Sequence, residues 1–118
     1  MHKILVVDDD LDILSLVQVI LSMNNFTVEA ISRWEDIDTK MAEFKPNLVL
    51  LDVMLSGADG RDICKNLQTQ EKTKHIPIVL FSANPEMGKY IKDCMARDFV
   101  PKPFEMAQLL KTVNTYVN

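Results

Sequence analysis

Asp8, Asp9 and Asp10 follow directly on the apolar run Ile4–Val7, and Asp12 is close behind, in MHKILVVDDDLDIL. A second apolar run, LVLL, ends on Asp52; a third, IVLF, ends on Ser82; and PKPF presents Lys102. Carboxylates held about 4 Å apart repel by about 4 kcal/mol at an effective dielectric near 20. Such a group must share a proton or hold a cation. Hard oxygen ligands that leave part of the coordination sphere to water suit Mg²⁺, or Mn²⁺ in its place. Asp8, Asp9 and Asp52 therefore read as a divalent-metal pocket. A carboxylate beside such an ion can act as a nucleophile toward a phosphoryl group, because the ion neutralises phosphate oxygens. Ser82 can then donate a hydrogen bond to one oxygen, and Lys102 can pair with another. A cis Lys102–Pro103 bond, accessible at modest cost, would turn the lysine into the pocket. Asp10 or Asp12 has a plainer role as the N-cap of the following helix, with Asp10 the better placed.

Five strands must carry these groups. Lys3–Val7 is β-branched and apolar, as a strand buried on both faces should be. Ile13, Val17, Ile20 and Leu21 recur at helical spacing until Asn24-Asn25. Phe26–Ile31 reads as the second strand. Ser32 is placed to cap the next helix, with Glu35 as reciprocal partner, and Trp34, Ile37 and Met41 as its buried stripe. Pro46 ends that helix, and Asn47–Leu51 is the third strand, ending at Asp52. Ser56-Gly57 is loop chemistry. Asp59 precedes a helix carrying Ile63, Cys64 and Leu67. Pro77 introduces the strand Ile78–Phe81, which ends at Ser82. Pro85 opens a helix with Met87, Tyr90, Ile91 and Cys94 on one face, Asp98–Pro101 is the fifth strand, and a last helix after Pro103 turns Leu109, Leu110, Val113, Tyr116 and Val117 inward. Alternating strands and helices imply a parallel α/β sheet covered on both faces. Chemistry gathers at the carboxyl ends of such strands, where these groups lie.

The chain has 118 residues, 47% of them hydrophobic and 25% charged, and a formal charge of −4. That suits one domain over residues 1–118 and, without a basic run, gives no footprint for direct nucleic acid binding. The two cysteines, Cys64 and Cys94, lack metal or disulfide spacing and read as small packing residues. The apolar stretch Ile13–Met23 is too short and too interrupted to span a bilayer, and no signal peptide is visible. A cytoplasmic protein without membrane contact is expected.

Taken together, KILVVDDD, LVLLDVMLSGADG, IPIVLFSA and FVPKPF resemble the receiver domains of two-component response regulators, over Lys3 to about Val117. The resemblance implies a flavodoxin-like (βα)5 doubly wound fold with strand order 2-1-3-4-5. It implies that Asp52 accepts a phosphoryl group from a phosphohistidine on a sensor histidine kinase or histidine phosphotransfer protein. The chain would be a signalling phosphoacceptor rather than an enzyme, apart from its own phosphorylation and slow autodephosphorylation. By the same likeness the ion is held by Asp9, Asp52 and the backbone carbonyl of Met54, with Asp8 acting mostly through water. Ser82, its neighbour Ala83 and Lys102 stabilise the phosphoryl group, and Pro103 is the cis proline. Ser82 and Phe99 form a coupled switch, biased by the new charge, toward a downstream target or effector domain. The surface around the fourth helix and fifth strand would change, in a monomer or a phosphorylation-dependent dimer.

The sequence also departs from that pattern. Ser56 stands where many members have Pro. Met95 stands where many have Gly, so a left-handed backbone there would cost roughly 1 kcal/mol. Arg97 and Thr112 replace the Asp and Arg that support the active dimer of winged-helix regulators, so that dimer is not expected. Met54 cannot position an attacking water, so a long-lived acyl phosphate is expected. The apolar Met54 also argues against a dehalogenase-type phosphatase, which needs a general acid there. The acids after the first strand argue against a flavin phosphate loop.

Overall fold

The computed structural model describes residues 2–117. Five strands, β1 (Lys3–Val7), β2 (Thr27–Ile31), β3 (Leu48–Asp52), β4 (Ile78–Ser82) and β5 (Asp98–Pro101), form one parallel sheet in the order β2-β1-β3-β4-β5. The expected α/β fold and strand order are therefore present. Four α-helices connect or follow the strands: α1 (Leu11–Met23), α2 (Ile37–Phe44), α3 (Gly60–Thr69) and α4 (Met106–Tyr116).

Alternating side chains of each central strand feed two separate cores, as the period of two requires. Ile4 and Val6 of β1, Leu50 of β3 and Val79 and Phe81 of β4 pack against Val17 and Leu21 of α1 and Leu109 and Val113 of α4. Leu5, Val7, Val49, Leu51, Ile78 and Leu80 face the other way, with Ile37, Met41, Cys64 and Leu67 from α2 and α3. Each fully buried Leu or Ile contributes about 1.5–3 kcal/mol of transfer free energy. This doubly packed sheet fixes the register of the strands, and so the positions of their polar ends.

Local chemistry starts and stops the helices. The Asp10 carboxylate accepts from the N–H groups of Asp12 and Ile13 and caps α1. Asp59 caps α3 by accepting from Arg61 N–H at 2.9 Å. The expected Ser32–Glu35 capping box does not form: a 3₁₀ turn, Trp34–Asp36, precedes α2, and Arg33 flanks it without a side-chain cap. Glu35 instead lies 3.8 Å from the Arg33 guanidinium.

The helix expected from Pro85 is a 3₁₀ segment, Pro85–Tyr90, followed by turns. Gly88, a poor helix former, sits at its centre, and a Cβ there would come within 3.0 Å of the Phe99 ring. The segment buries Cys94 and partly buries Met87 and Ile91; the Tyr90 side chain lies outside the described residues. Met95 adopts φ +66°, so the left-handed turn is kept without glycine. Among the described residues, no helix is long and apolar enough to cross a membrane.

Candidate functional site

The carboxyl ends of β1, β3, β4 and β5 meet at one rim. Asp8 follows β1 and is fully buried. Its Oδ1 accepts the Asp10 N–H at 2.9 Å, and its Oδ2 accepts Lys102 Nζ at 2.7 Å. Asp52 is the last residue of β3 and is also buried. Its Oδ1 takes the Met54 N–H at 3.2 Å, and its Oδ2 lies 3.4 Å from Lys102 Nζ. Asp9 is exposed, and its Oδ2 accepts the Ser56 N–H at 2.9 Å. One oxygen from each of these three aspartates lies within 4.8 Å of the others.

Lys102 reaches between two of those carboxylates because the backbone aims it there. Its N–H donates to the Ser82 carbonyl at 2.8 Å, and the Lys102–Pro103 peptide is cis. Its ammonium also stands 4.8 Å from the centroid of the Phe81 ring, a favourable cation–π placement. Ser82 is fully buried at the end of β4. Its Oγ accepts the Asn84 N–H at 3.1 Å, which leaves the hydroxyl proton free to be donated. Ala83 is exposed beside it.

Burial and the neighbouring Asp8 carboxylate push the Asp52 carboxyl up from its ordinary 3.8 to about 7, against the opposing pull of Lys102. One lysine does not neutralise two buried carboxylates. The donor set has three carboxylates, two buried and one at the solvent edge. That fits a hard cation which retains several waters.

Met54 begins a two-residue ribbon, Met54–Leu55 against Ala58–Asp59, and its side chain is exposed. Phe99 lies on β5 opposite Leu80, half-buried against Gly88. Ser82 and Phe99 thus occupy neighbouring strands, with Ser82 in register with Pro101.

Two contributors escape the sequence reading. Gly60 opens α3 and donates its N–H to Val53 at 2.7 Å; a Cβ there would collide with the Asp52 carbonyl oxygen. A glycine at a helix start is the only local signal. The Ser56 N–H carries no side-chain signal at all. A surface depression of about 760 Å³ lies at the other end of the sheet, lined by Met41, Asn47, His75 and Val117 among others. Asp8, Asp9, Asp52, Ser82 and Lys102 do not line it.

Known proteins share this arrangement of strands and helices. The family model described as response regulator receiver domain matches residues 4–114. The phosphate regulon transcriptional regulatory protein PhoB of Rhizobium meliloti is 31% identical over 113 residues, covering 94% of this chain and 50% of its own. Protein PetR of Rhodobacter capsulatus is 36% identical over 113 residues, covering 94% and 46%. The chain spans about half the length of the curated relatives it matches. Among solved structures, the BeF3-activated N-terminal receiver domain of Klebsiella pneumoniae RstA superposes with a TM-score of 0.89 at 29% identity, covering 99% of each chain. A putative response regulator from Chloroflexus aurantiacus gives a TM-score of 0.92 at 25% identity, covering 98% of this chain and 97% of its own. With the family model spanning nearly the whole sequence and the same fold in these relatives, this chain belongs to the response regulator receiver domain family of two-component systems.

Proposed function

We propose that this chain accepts a phosphoryl group on Asp52 from a phosphohistidine of a sensor histidine kinase or histidine phosphotransfer protein. The observation that carries the reading is the joint placement of Asp8, Asp9 and Asp52 within 4.8 Å, with Lys102 between the two buried carboxylates. Asp8, Asp9, Asp52 and the Met54 carbonyl would hold Mg²⁺ or Mn²⁺. The ion, when bound, offsets charge on the transferring phosphoryl oxygens.

An Asp52 oxygen attacks phosphorus, the P–N bond to imidazole breaks, and a P–O acyl phosphate forms. The departing imidazole nitrogen takes a proton from water. Asp52 must be ionised to attack, so its raised proton affinity has to be offset by neighbouring positive charge. The pull of Lys102 is already spent in that balance, so the further charge would come from the bound ion, and Lys102 moves onto a phosphoryl oxygen once Asp52 is esterified. Ser82 donates its free hydroxyl proton to a second oxygen, and its small neighbour Ala83 would leave room for the phosphoryl group. Movement of Ser82 toward the new charge, with Phe99 turning inward, would relay the change to the Pro85–Tyr90 segment and β5. That is an output surface for a downstream target or effector domain. The cytoplasm, where kinase and target meet, is the expected compartment. Arg97 and Thr112 do not supply the charges of the winged-helix regulators' active dimer, so a protein contact is the favoured output.

Incubation with a small phosphodonor and Mg²⁺ should give one hydroxylamine-labile phosphoryl group per chain. Asp52→Asn, or chelation of the ion, should abolish it. With apolar Met54 beside Asp52, the label should decay over minutes or longer. Labelling that survives Asp52→Asn or chelation would refute the assignment.

A further inference from the structure

We propose that the Ser56 backbone N–H is a positioning group for the divalent ion, holding the Asp9 carboxylate ready at the rim so that the ion does not have to order it. This rests on the metal reading of Asp8, Asp9 and Asp52 given above.

The three carboxylates are not held alike. Asp8 and Asp52 are buried, with Lys102 between them, and each takes a nearby backbone N–H. Asp9 is exposed, and an exposed side chain that becomes fixed on binding forfeits about 0.5–1.5 kcal/mol. The bond that holds Asp9 comes from Ser56, 47 residues away, at 2.9 Å. A carboxylate has about four acceptor sites, so one N–H leaves capacity for an ion. A charge-assisted bond of this length is also stronger than a neutral one.

The donor is itself held in place. Ser56 sits at the tip of the ribbon in which Leu55 pairs with Ala58. Leu55 is buried in the core on one side, and Gly57 takes φ +84° on the other. The Trp34 indole nitrogen would lie 3.6 Å from a Cβ placed on Gly57, so the ring closes over the turn. The direction of the Ser56 N–H is therefore set by the ribbon and not by the serine side chain. Proline, common at this position in the family, has no N–H to donate, so the residue type at 56 decides whether Asp9 is held this way.

The test is calorimetric titration of the whole chain with Mg²⁺ alone, near neutral pH. Ser56→Ala keeps the N–H and should bind within about twofold of wild type. Ser56→Pro removes it and should bind about threefold to tenfold more weakly, the range that corresponds to ordering one side chain. In an Asp9→Ala background, Ser56→Pro should have no further effect, because the group it positions is gone. Equal or tighter binding by Ser56→Pro overturns the inference. So does equal weakening by Ser56→Ala, or a proline effect that persists without Asp9. A wild-type chain that takes up no Mg²⁺ overturns the metal reading itself, and this inference with it. Should proline unfold the turn, the ¹H–¹⁵N spectrum decides: the Ser56 amide proton should move upfield in Asp9→Ala, and an unmoved resonance refutes the bond.

Discussion

Replacing Asp52 by Asn should stabilise the ion-free protein above neutral pH, although it removes the proposed reactive group. The Asp52 carboxyl is pushed up from 3.8 to about 7 by burial and by Asp8. The folded state thus binds that proton more tightly than the unfolded chain does. For a group shifted in this direction, stability is greatest at acid pH, falls as pH rises from about 4 to about 7, and is flat above. Each tenfold in proton affinity is worth about 1.4 kcal/mol, so the ceiling on the penalty is about 4 kcal/mol. Relaxation and water entry around a rim carboxylate should reduce it to about 2 kcal/mol. An amide keeps an acceptor for the Met54 N–H, and Lys102 keeps its 2.7 Å bond to Asp8. Thermal unfolding followed by circular dichroism in a chelator should place Asp52→Asn about 8 °C above wild type at pH 8. The gap should close toward pH 4, and Mg²⁺ should raise wild type at pH 8 far more than the variant. A variant no more stable than wild type at pH 8, or a gap independent of pH, would refute the electrostatic account of the site.

Two more substitutions probe how the backbone supports that site. Gly60→Ala should destabilise the fold by more than about 2 kcal/mol, since the new Cβ meets the Asp52 carbonyl oxygen rather than a movable side chain; urea midpoints should show it, and a neutral effect would mean the loop yields freely. Met95→Gly should gain up to about 1 kcal/mol by relieving the left-handed strain at φ +66°, because the exposed Met95 side chain gives up little packing. A loss of stability there would place the Met side chain in a packing role.

Sequence periodicity was enough for the sheet. Short apolar runs at Ile4–Val7, Leu48–Leu51 and Ile78–Phe81 alternate with helical stripes, and a parallel sheet with two cores buries both. The Asp10 cap was legible too, because a cap reaches only two or three residues along the chain. So was the gathering of Asp8, Asp52, Ser82 and Lys102, since the fold alone sends strand ends to one rim. Tertiary structure decided what depends on distant neighbours. The segment after Pro85 reads as a helix by its periodicity but folds as a 3₁₀ turn, Pro85–Tyr90, with Gly88 set close against the Phe99 ring of β5. The proton affinity of Asp52 depends on how deeply three strand ends are buried together. The bond from Ser56 to Asp9 spans 47 residues, and the ion pair from Lys102 to Asp8 spans 94. Local sequence encodes backbone period and end caps; the distance between groups that far apart exists only once the sheet has closed its register.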